Sequence, residues 1–395
     1  MRAVGATCIV VVSLILIAGL WPFHVPHNNV SWIKIANGLR FGGHGMAISL
    51  GILDREVGGE EAPCSLEIRL VPQQVPAYGT ILAFDSSPDP RLPLALRQHG
   101  ASLTIQRYVT DLDGGVRYPW IKIDDTFRKG ESVLLAITST KLGTRVYSNG
   151  RLAGMFSEQA MSRNDLVGRF VLASSTVDDS WRGDISALAI YDRELTPTEV
   201  SRHFDSWTLN HQPDLNVALQ PLALFLFNER TGWSVRNRVN GGVDLSIPHN
   251  YSVLHPALLN PVWVQYSHQG AFWGRWSFWK DVIINIAGFV PFGFTLLMYL
   301  SSVTPPAGRT AKAILLGFCL SLSIEVIQRF LPTRDSGMMD LVTNTIGTIG
   351  GAFLYRSQTI RNELARLAEA LPADFLKGEF RTCFASQVKD PALFA

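Results

Sequence analysis

The apolar residues of this chain are not spread evenly, and that unevenness limits what it can fold into more than any other feature. Residues 3–20 form an almost wholly apolar run, and three more come late, at about 282–300, 314–330 and 338–355. The stretch between, about 35–260, reads as ordinary water-soluble protein. Apolar runs of about 18 residues or more are long enough to cross the hydrocarbon core of a bilayer as helices. The connectors between the late runs are short, holding Pro305, Pro306 and Gly308 in one and Pro332 with Thr333 in the other, which suits antiparallel neighbouring helices. The sequence therefore predicts a mixed fold: an α-helical membrane bundle of four transmembrane helices with a soluble domain spliced in after the first. A net charge of +2 and the lack of a Lys/Arg run exclude a nucleic-acid footprint.

The first run could also be read as a cleaved signal peptide. No A-x-A-like site follows it, and Trp21 and Phe23 suit interfacial anchors, so an uncleaved helix is expected. Basic residues near the ends of the spans number Arg2, Arg309, Lys312, Arg356, Arg361 and Arg366 on one side, against Lys34, Arg275, Lys280, Arg329 and Arg334 on the other. The positive-inside rule then gives cytoplasmic termini, with residues of about 30–280 outside the membrane. Trp263, Tyr266, Phe272, Trp273, Trp276, Phe278 and Trp279 read as an aromatic interfacial belt leading into the second span. Of the four cysteines, Cys8 and Cys319 lie in apolar runs, Cys64 in the soluble region and Cys383 in the tail, with no metal-ligand spacing and no expected intrachain disulfide.

Within the soluble region, alternations such as Ser65-Leu66-Glu67-Ile68-Arg69-Leu70 and Ser102-Leu103-Thr104-Ile105-Gln106 are broken by Gly, Pro and Asp/Ser, the pattern of a many-stranded antiparallel sandwich. Asn149-Gly150, after the strand Thr144-Arg145-Val146-Tyr147-Ser148, predicts a type I′ hairpin. The run "RVYSNGRLAG" and the later "GRFVLASSTVDDSWRGDISALAIYDRELTPTEVSRHF" resemble the concanavalin A-like, laminin G-like jelly-roll family. The segment 222–248 is similar to that family's opening strands, although it comes last, and is expected to close the sandwich. The resemblance implies an all-β jelly roll that binds carbohydrate, in some members through calcium. Asp178, Asp179 and Asp184 are the nearest acidic cluster for that ion, and the plainer reading makes them turn residues capping strand ends. No other cofactor is implied, and no E-x-D-x-x-E-like run supplies the carboxylate pair of a glucanase.

The C-terminal part, "DVIINIAGFVPFGFTLLMYL" and "SLSIEVIQRFLPTRDSGMMDLVTNTIGTIGGAFLY", resembles the VanZ-like family, named for a membrane protein linked to resistance against the glycopeptide teicoplanin. The resemblance rests on Asp281, Asn285, Phe289, Pro291 and Gly293, on Glu325 and Gln328, and on Arg334, Asp335, Asp340, Asn344, Gly347 and Gly351. It implies that the jelly roll is inserted between that family's first and second helices. Ionisable groups inside a span are costly and face the bundle interior or water, so Glu325 is a candidate functional residue. Helix rise places Glu325 roughly 9 Å below the outer end of its span, with Asn285 and Asn344 about 6 Å deep in theirs. One outer-half polar pocket of Asp281, Asn285, Glu325, Gln328, Arg329, Arg334, Asp335, Asp340 and Asn344, with a basic partner for Glu325, is therefore expected. The plainer reading is polar glue between helices, with Gly347 and Gly351 allowing close approach.

The expected layout is a first transmembrane helix over 1–24, the sandwich over 30–260, an interfacial segment over 261–280, a three-helix bundle over 281–356 and a cytoplasmic tail over 357–395. Leu364, Leu367 and Leu371 give the tail an amphipathic pattern. No catalytic residue is identified. The expected function is a non-enzymatic protein of a bacterial cell membrane, with membrane lipid and an envelope glycan or protein as partners. The alternative is a membrane enzyme or carrier acting on a lipid or lipid-linked saccharide.

Overall fold

A computed structural model describes residues 2–53, 62–85, 94–110, 116–117, 119–174, 180–209, 221–253, 258–259, 276–334, 336–360, 362–363 and 366. The chain divides into two compact units, one made of residues 25–256 and the other of 1–24 with 257–395.

The first unit is a sandwich of two antiparallel sheets. One sheet has the order β1 (Val30–Trp32), β2 (Leu39–Phe41), β15 (Gly183–Tyr191), β4 (Cys64–Pro72), β11 (Val133–Thr140), β12 (Gly143–Ser148) and β13 (Arg151–Phe156), with β16 (Ala223–Phe225) also paired to β15. The other runs β10 (Trp120–Ile123), β7 (Ser102–Arg107), β6 (Leu94–Gly100), β5 (Ala77–Asp85), β14 (Arg169–Leu172), β3 (Ala47–Ser49), β18 (Leu245–Ser246) and β17 (Ser234–Val235). A small ribbon pairs β8 (Val109–Thr110) with β9 (Val116–Arg117). The alternation of the strands supplies the core directly: Leu66, Ile68 and Leu70 of β4 meet Leu82, Phe84, Leu96 and Phe170 between the sheets, all essentially without exposure. Each such side chain stabilises the sandwich by about 1.5–3 kcal/mol relative to exposure.

The expected return of the chain after Trp207 is met. Leu224 pairs with Ala189, β18 pairs with β3, and Phe225 and Phe227 are fully buried in the inter-sheet core, so the last strands close both sheets. The Asn149-Gly150 hairpin forms as expected, with φ of 51° and 76°, and Asn149 Oδ1 accepts the Leu134 N–H at 2.9 Å.

Helix α2 (Pro197–Leu209) starts on a capping box: Thr196 Oγ1 accepts the Glu199 N–H at 3.3 Å, and Glu199 Oε2 accepts the Thr196 N–H at 2.8 Å, with proline in the first helical position. It lays Val200, Phe204 and Trp207 on the outer face of the first sheet, against Leu134, Tyr147, Ala189 and Tyr191. This explains why β11 and β15 are buried on both faces. Cys64 is a buried free thiol, and burial pushes its pKa up to about 12, which leaves it inert.

The second unit holds α1 (Arg2–Leu20), α3 (Trp276–Val303), α4 (Arg309–Gln328) and α5 (Met338–Arg356). Phe278–Val303 and Arg309–Gln328 are long and apolar enough to cross a membrane, and Val4–Leu20 is a shorter apolar helix. Both of these long helices extend beyond the expected apolar runs, α3 to Val303 and α4 from Arg309. Helix α3 begins at Trp276 rather than 282, so Asp281 lies inside it, and α4 stops at Gln328 rather than 330. Of the expected aromatic belt, Trp263, Tyr266, Phe272 and Trp273 lie outside the described residues, as does the tail beyond Arg366.

The capping box generates a pH prediction. Burial alone would raise the Glu199 carboxyl, but the Arg193 guanidinium and the Thr196 N–H and hydroxyl outweigh it and hold it at about 2. A depressed folded value gives stability above the ordinary carboxylate range that fades as pH falls towards 2. Glu199→Gln should therefore cost about 1 kcal/mol near neutral pH. Thermal unfolding at a series of pH values should show the gap to wild type closing in strongly acid solution.

Candidate functional site

The bundle is built around backbone contact. A Cβ on Gly351 would lie 2.0 Å from the Val290 carbonyl oxygen, one on Gly347 2.4 Å from that of Ile286, and one on Gly293 2.1 Å from that of Thr348. Helices α3 and α5 therefore touch along their main chains, the small-residue packing expected where lipid gives no hydrophobic drive between helices. Gly317 of α4, which the sequence reading passed over, belongs to the same contact, because a Cβ there would stand 2.5 Å from the Thr348 side chain.

This packing gathers polar residues named for the expected pocket at one end of the bundle, in three arrangements. Between α3 and α5, Asn285 Nδ2 donates to Asp340 Oδ1 at 2.7 Å, and Asp281, Asn285, Asp340 and Thr343 line a cavity of 160 Å³. Beside it, Glu325 is 1% exposed and accepts the Gly337 N–H at 2.8 Å, with the Ser336 hydroxyl as a second donor. Gly337 is the N-cap of α5, so the carboxylate sits against the positive end of a helix dipole. Asn344 Nδ2 donates to Ser321 Oγ at 3.0 Å, joining α5 to α4.

The third arrangement faces α1. Gln328 Nε2 donates to the Gly19 carbonyl at 2.9 Å, and Arg334 donates to the Trp21 carbonyl from Nε at 2.8 Å and Nη2 at 2.6 Å, with Ala18 O at 3.3 Å. A cation on the last carbonyls of a helix satisfies acceptors that have no intrahelical donor. The expected basic partner of Glu325 is thus corrected: Arg334 is engaged with α1, Arg329 is exposed, and no ion pair to Glu325 occurs among the described residues. A helix N-terminus supplies the compensation instead. Asp335 lies outside the described residues. Ser321, in an apolar run, and Ser336, in the connector before α5, were missed because a serine carries no signal of its partner.

In the sandwich, Asp184 accepts Nε and Nη2 of Arg40, each at 2.8 Å, which occupies both carboxylate oxygens. Asp178 and Asp179 lie outside the described residues, and among the described residues no group of three metal-ligating side chains occurs. The alternation of 65–70 turns Glu67 away from the core, yet α2 covers it completely. His203 Nδ1 lies 2.9 Å from Glu67 Oε2, and the Tyr191 hydroxyl donates to the same oxygen at 3.0 Å. Burial, with Glu67 alongside, raises the Tyr191 pKa, and the His203–Glu67 contact ties α2 to the sheet.

Residues 218–361 match the VanZ/LLP1 family, and residues 53–201 match the Concanavalin A-like lectin/glucanases superfamily. The combination expected from the sequence is therefore present. No curated protein matches the chain. Among solved structures, the chain is similar to a putative carbohydrate binding protein from Bacteroides ovatus, at 12% identity and a TM-score of 0.38 over 54% of this chain and 58% of that one. It is also similar to the binding domain of botulinum neurotoxin serotype D, at 12% identity and a TM-score of 0.36 over 47% and 46%. The chain spans about half the length of these structures.

Two adjacent glycines test the interface. Gly351→Ala drives a Cβ into backbone and should cost about 1–3 kcal/mol. Gly350→Ala, whose Cβ would lie 3.8 Å from Val290 Cγ2, should leave stability unchanged. Thermal unfolding of the purified protein in detergent separates the two.

Proposed function

We propose that the chain is a multi-pass envelope membrane protein whose sandwich, outside the membrane, binds glycan. In this reading all four helices cross the bilayer and both termini are cytoplasmic. The observation that carries it is the grip of Gln328 and Arg334 on the last carbonyls of α1. That grip makes α1 a member of the bundle, and it puts the end of α1 beside the α4–α5 connector. The Asn285–Asp340 bond brings the start of α3 to the same end. The segment that folds as the sandwich thus leaves and re-enters the bundle at one end, as a domain inserted between two antiparallel spans must. The match to a superfamily described by lectins supports glycan as the ligand class. Calcium held near Asp178 and Asp179 is part of the proposal, as is the link to teicoplanin-type resistance that the VanZ resemblance implies.

A second reading, action of the bundle on a lipid-linked saccharide, is favoured by the cavity lined by Asp281, Asn285 and Asp340. One experiment addresses both. The full chain in lipid nanodiscs is applied to a glycan array with and without a chelator, beside Asp340→Asn. The first reading expects saccharide binding that Asp340→Asn leaves intact, and the second expects that substitution to abolish it. Silence across the array would contradict both and turn attention to a protein partner.

A further inference from the structure

The outer face of the first sheet holds a cavity of 470 Å³ beside Trp207, near the C-terminal end of α2. Alternation along β4 puts Leu66, Ile68 and Leu70 in the core and turns Arg69 outward into the wall of this cavity. Arg69 is half-buried, and its guanidinium is fixed: Nε donates to Ser132 Oγ at 3.3 Å and Nη1 to the Trp207 carbonyl at 3.1 Å. Its Nη2 has no partner among the described residues, and no carboxylate there pairs with this arginine. Burial pulls the Arg69 pKa down, yet an arginine stays protonated, so the wall carries a partly desolvated positive charge that nothing offsets. Arg230 lines the same cavity, is exposed, and likewise has no acidic partner among the described residues. Glu229, its neighbour in sequence, pairs with Arg238 at 3.6 Å instead. Asp184 also lines the cavity, but Arg40 occupies both of its oxygens and offsets its charge.

We infer that this cavity is the glycan site of the sandwich, and that the sugar it takes is an acidic one, bearing a carboxylate or a phosphate. The inference rests on the glycan reading above and gives it a place and a charge. Arginine is the side chain best suited to such oxyanions, because its donors are fixed in a plane and its charge is weakly hydrated. With Nε and Nη1 already engaged, Arg69 presents Nη2 without rotamer entropy left to lose, and Arg230 adds a second charge from the mouth. The rest of the wall suits a sugar body. Ile33, Val71 and Leu226 offer apolar surface, and the Asn37 amide offers donors and an acceptor for hydroxyls. Ile35, in the turn between β1 and β2, also lines the cavity and is 95% exposed, so an apolar side chain stands at the entrance with nothing yet to cover. The volume falls in the range of small-ligand pockets and holds roughly one or two sugar rings. A cation such as calcium would meet two uncompensated arginines here and is excluded from this cavity.

The test titrates the full chain, in nanodiscs of phosphatidylcholine, with sugar pairs that differ in charge, following heat. The pairs are galacturonic acid and galactose, N-acetylmuramic acid and N-acetylglucosamine, and glucose 6-phosphate and glucose. At least one acidic member should bind at least ten-fold tighter than its neutral counterpart, and the pair that responds tells carboxylate from phosphate. Arg230→Glu, a change at an exposed side chain, should weaken that binding at least ten-fold. Arg69→Gln should do the same, with thermal unfolding to check that α2 stays docked. Arg151→Glu, the same charge change on the exposed strand β13, should have no effect. Acidic and neutral members binding alike, either variant of Arg69 or Arg230 binding like the wild type, or an equal loss in Arg151→Glu would overturn the acidic-sugar site and leave glycan binding in place. No binding of any of these sugars would also overturn the site, and the glycan array then decides the broader reading separately.

Discussion

Main-chain contact between α3 and α5 is the constraint on which the bundle depends. Gly293, Gly347 and Gly351 each stand where a single methyl group would strike a neighbouring backbone, so the two helices have one available register. That register sets Asn285 against Asp340 and brings the N-terminus of α5 over Glu325. Away from water, a buried polar group must find its partner inside the protein, and an unpartnered one costs several kcal/mol. The polar residues are therefore both consequence and lock of the glycine packing. Displacing α5 would strip Glu325 of its backbone donor and Asp340 of its amide at once.

The same logic extends to α1. Its last carbonyls have no intrahelical donors, and Gln328 and Arg334 provide them from the far end of the sequence, more than 300 residues away. Close packing supports the join, since a Cβ on Gly19 would rest 3.1 Å from Ile324 Cγ2 and Val4 is 1% exposed. In the sandwich the closing elements are equally remote. β16 and β18 reach back to β15 and β3, so both units depend on contacts that only the finished chain can make.

Much of this was legible in the residues. Alternation along 65–70 and 102–106 gave the strands, Asn149-Gly150 the hairpin, and the apolar runs the helices, because each of these signals is local. What was not legible is what lies across from a residue. Glu67 reads as an outward-facing charge until α2 is laid over it, and Ile185 and Leu188 both face the core only because a bulge in β15 shifts the alternation between them. A basic partner was expected for Glu325 because a buried carboxylate has to be offset, yet the N-terminus of α5 supplies that offset and Arg334 is engaged on the end of α1. Helix rise gave the depth of the polar residues but not their azimuth, so their individual partners were not legible.

The account stands on a chain that crosses the membrane with its sandwich outside and its termini inside, and a reporter active only in the cytoplasm tests that most directly. Fused after Arg309 or Arg361 it should be active, and fused after Gly150 it should be silent. Activity after Gly150 with silence after Arg309 and Arg361 would contradict the account.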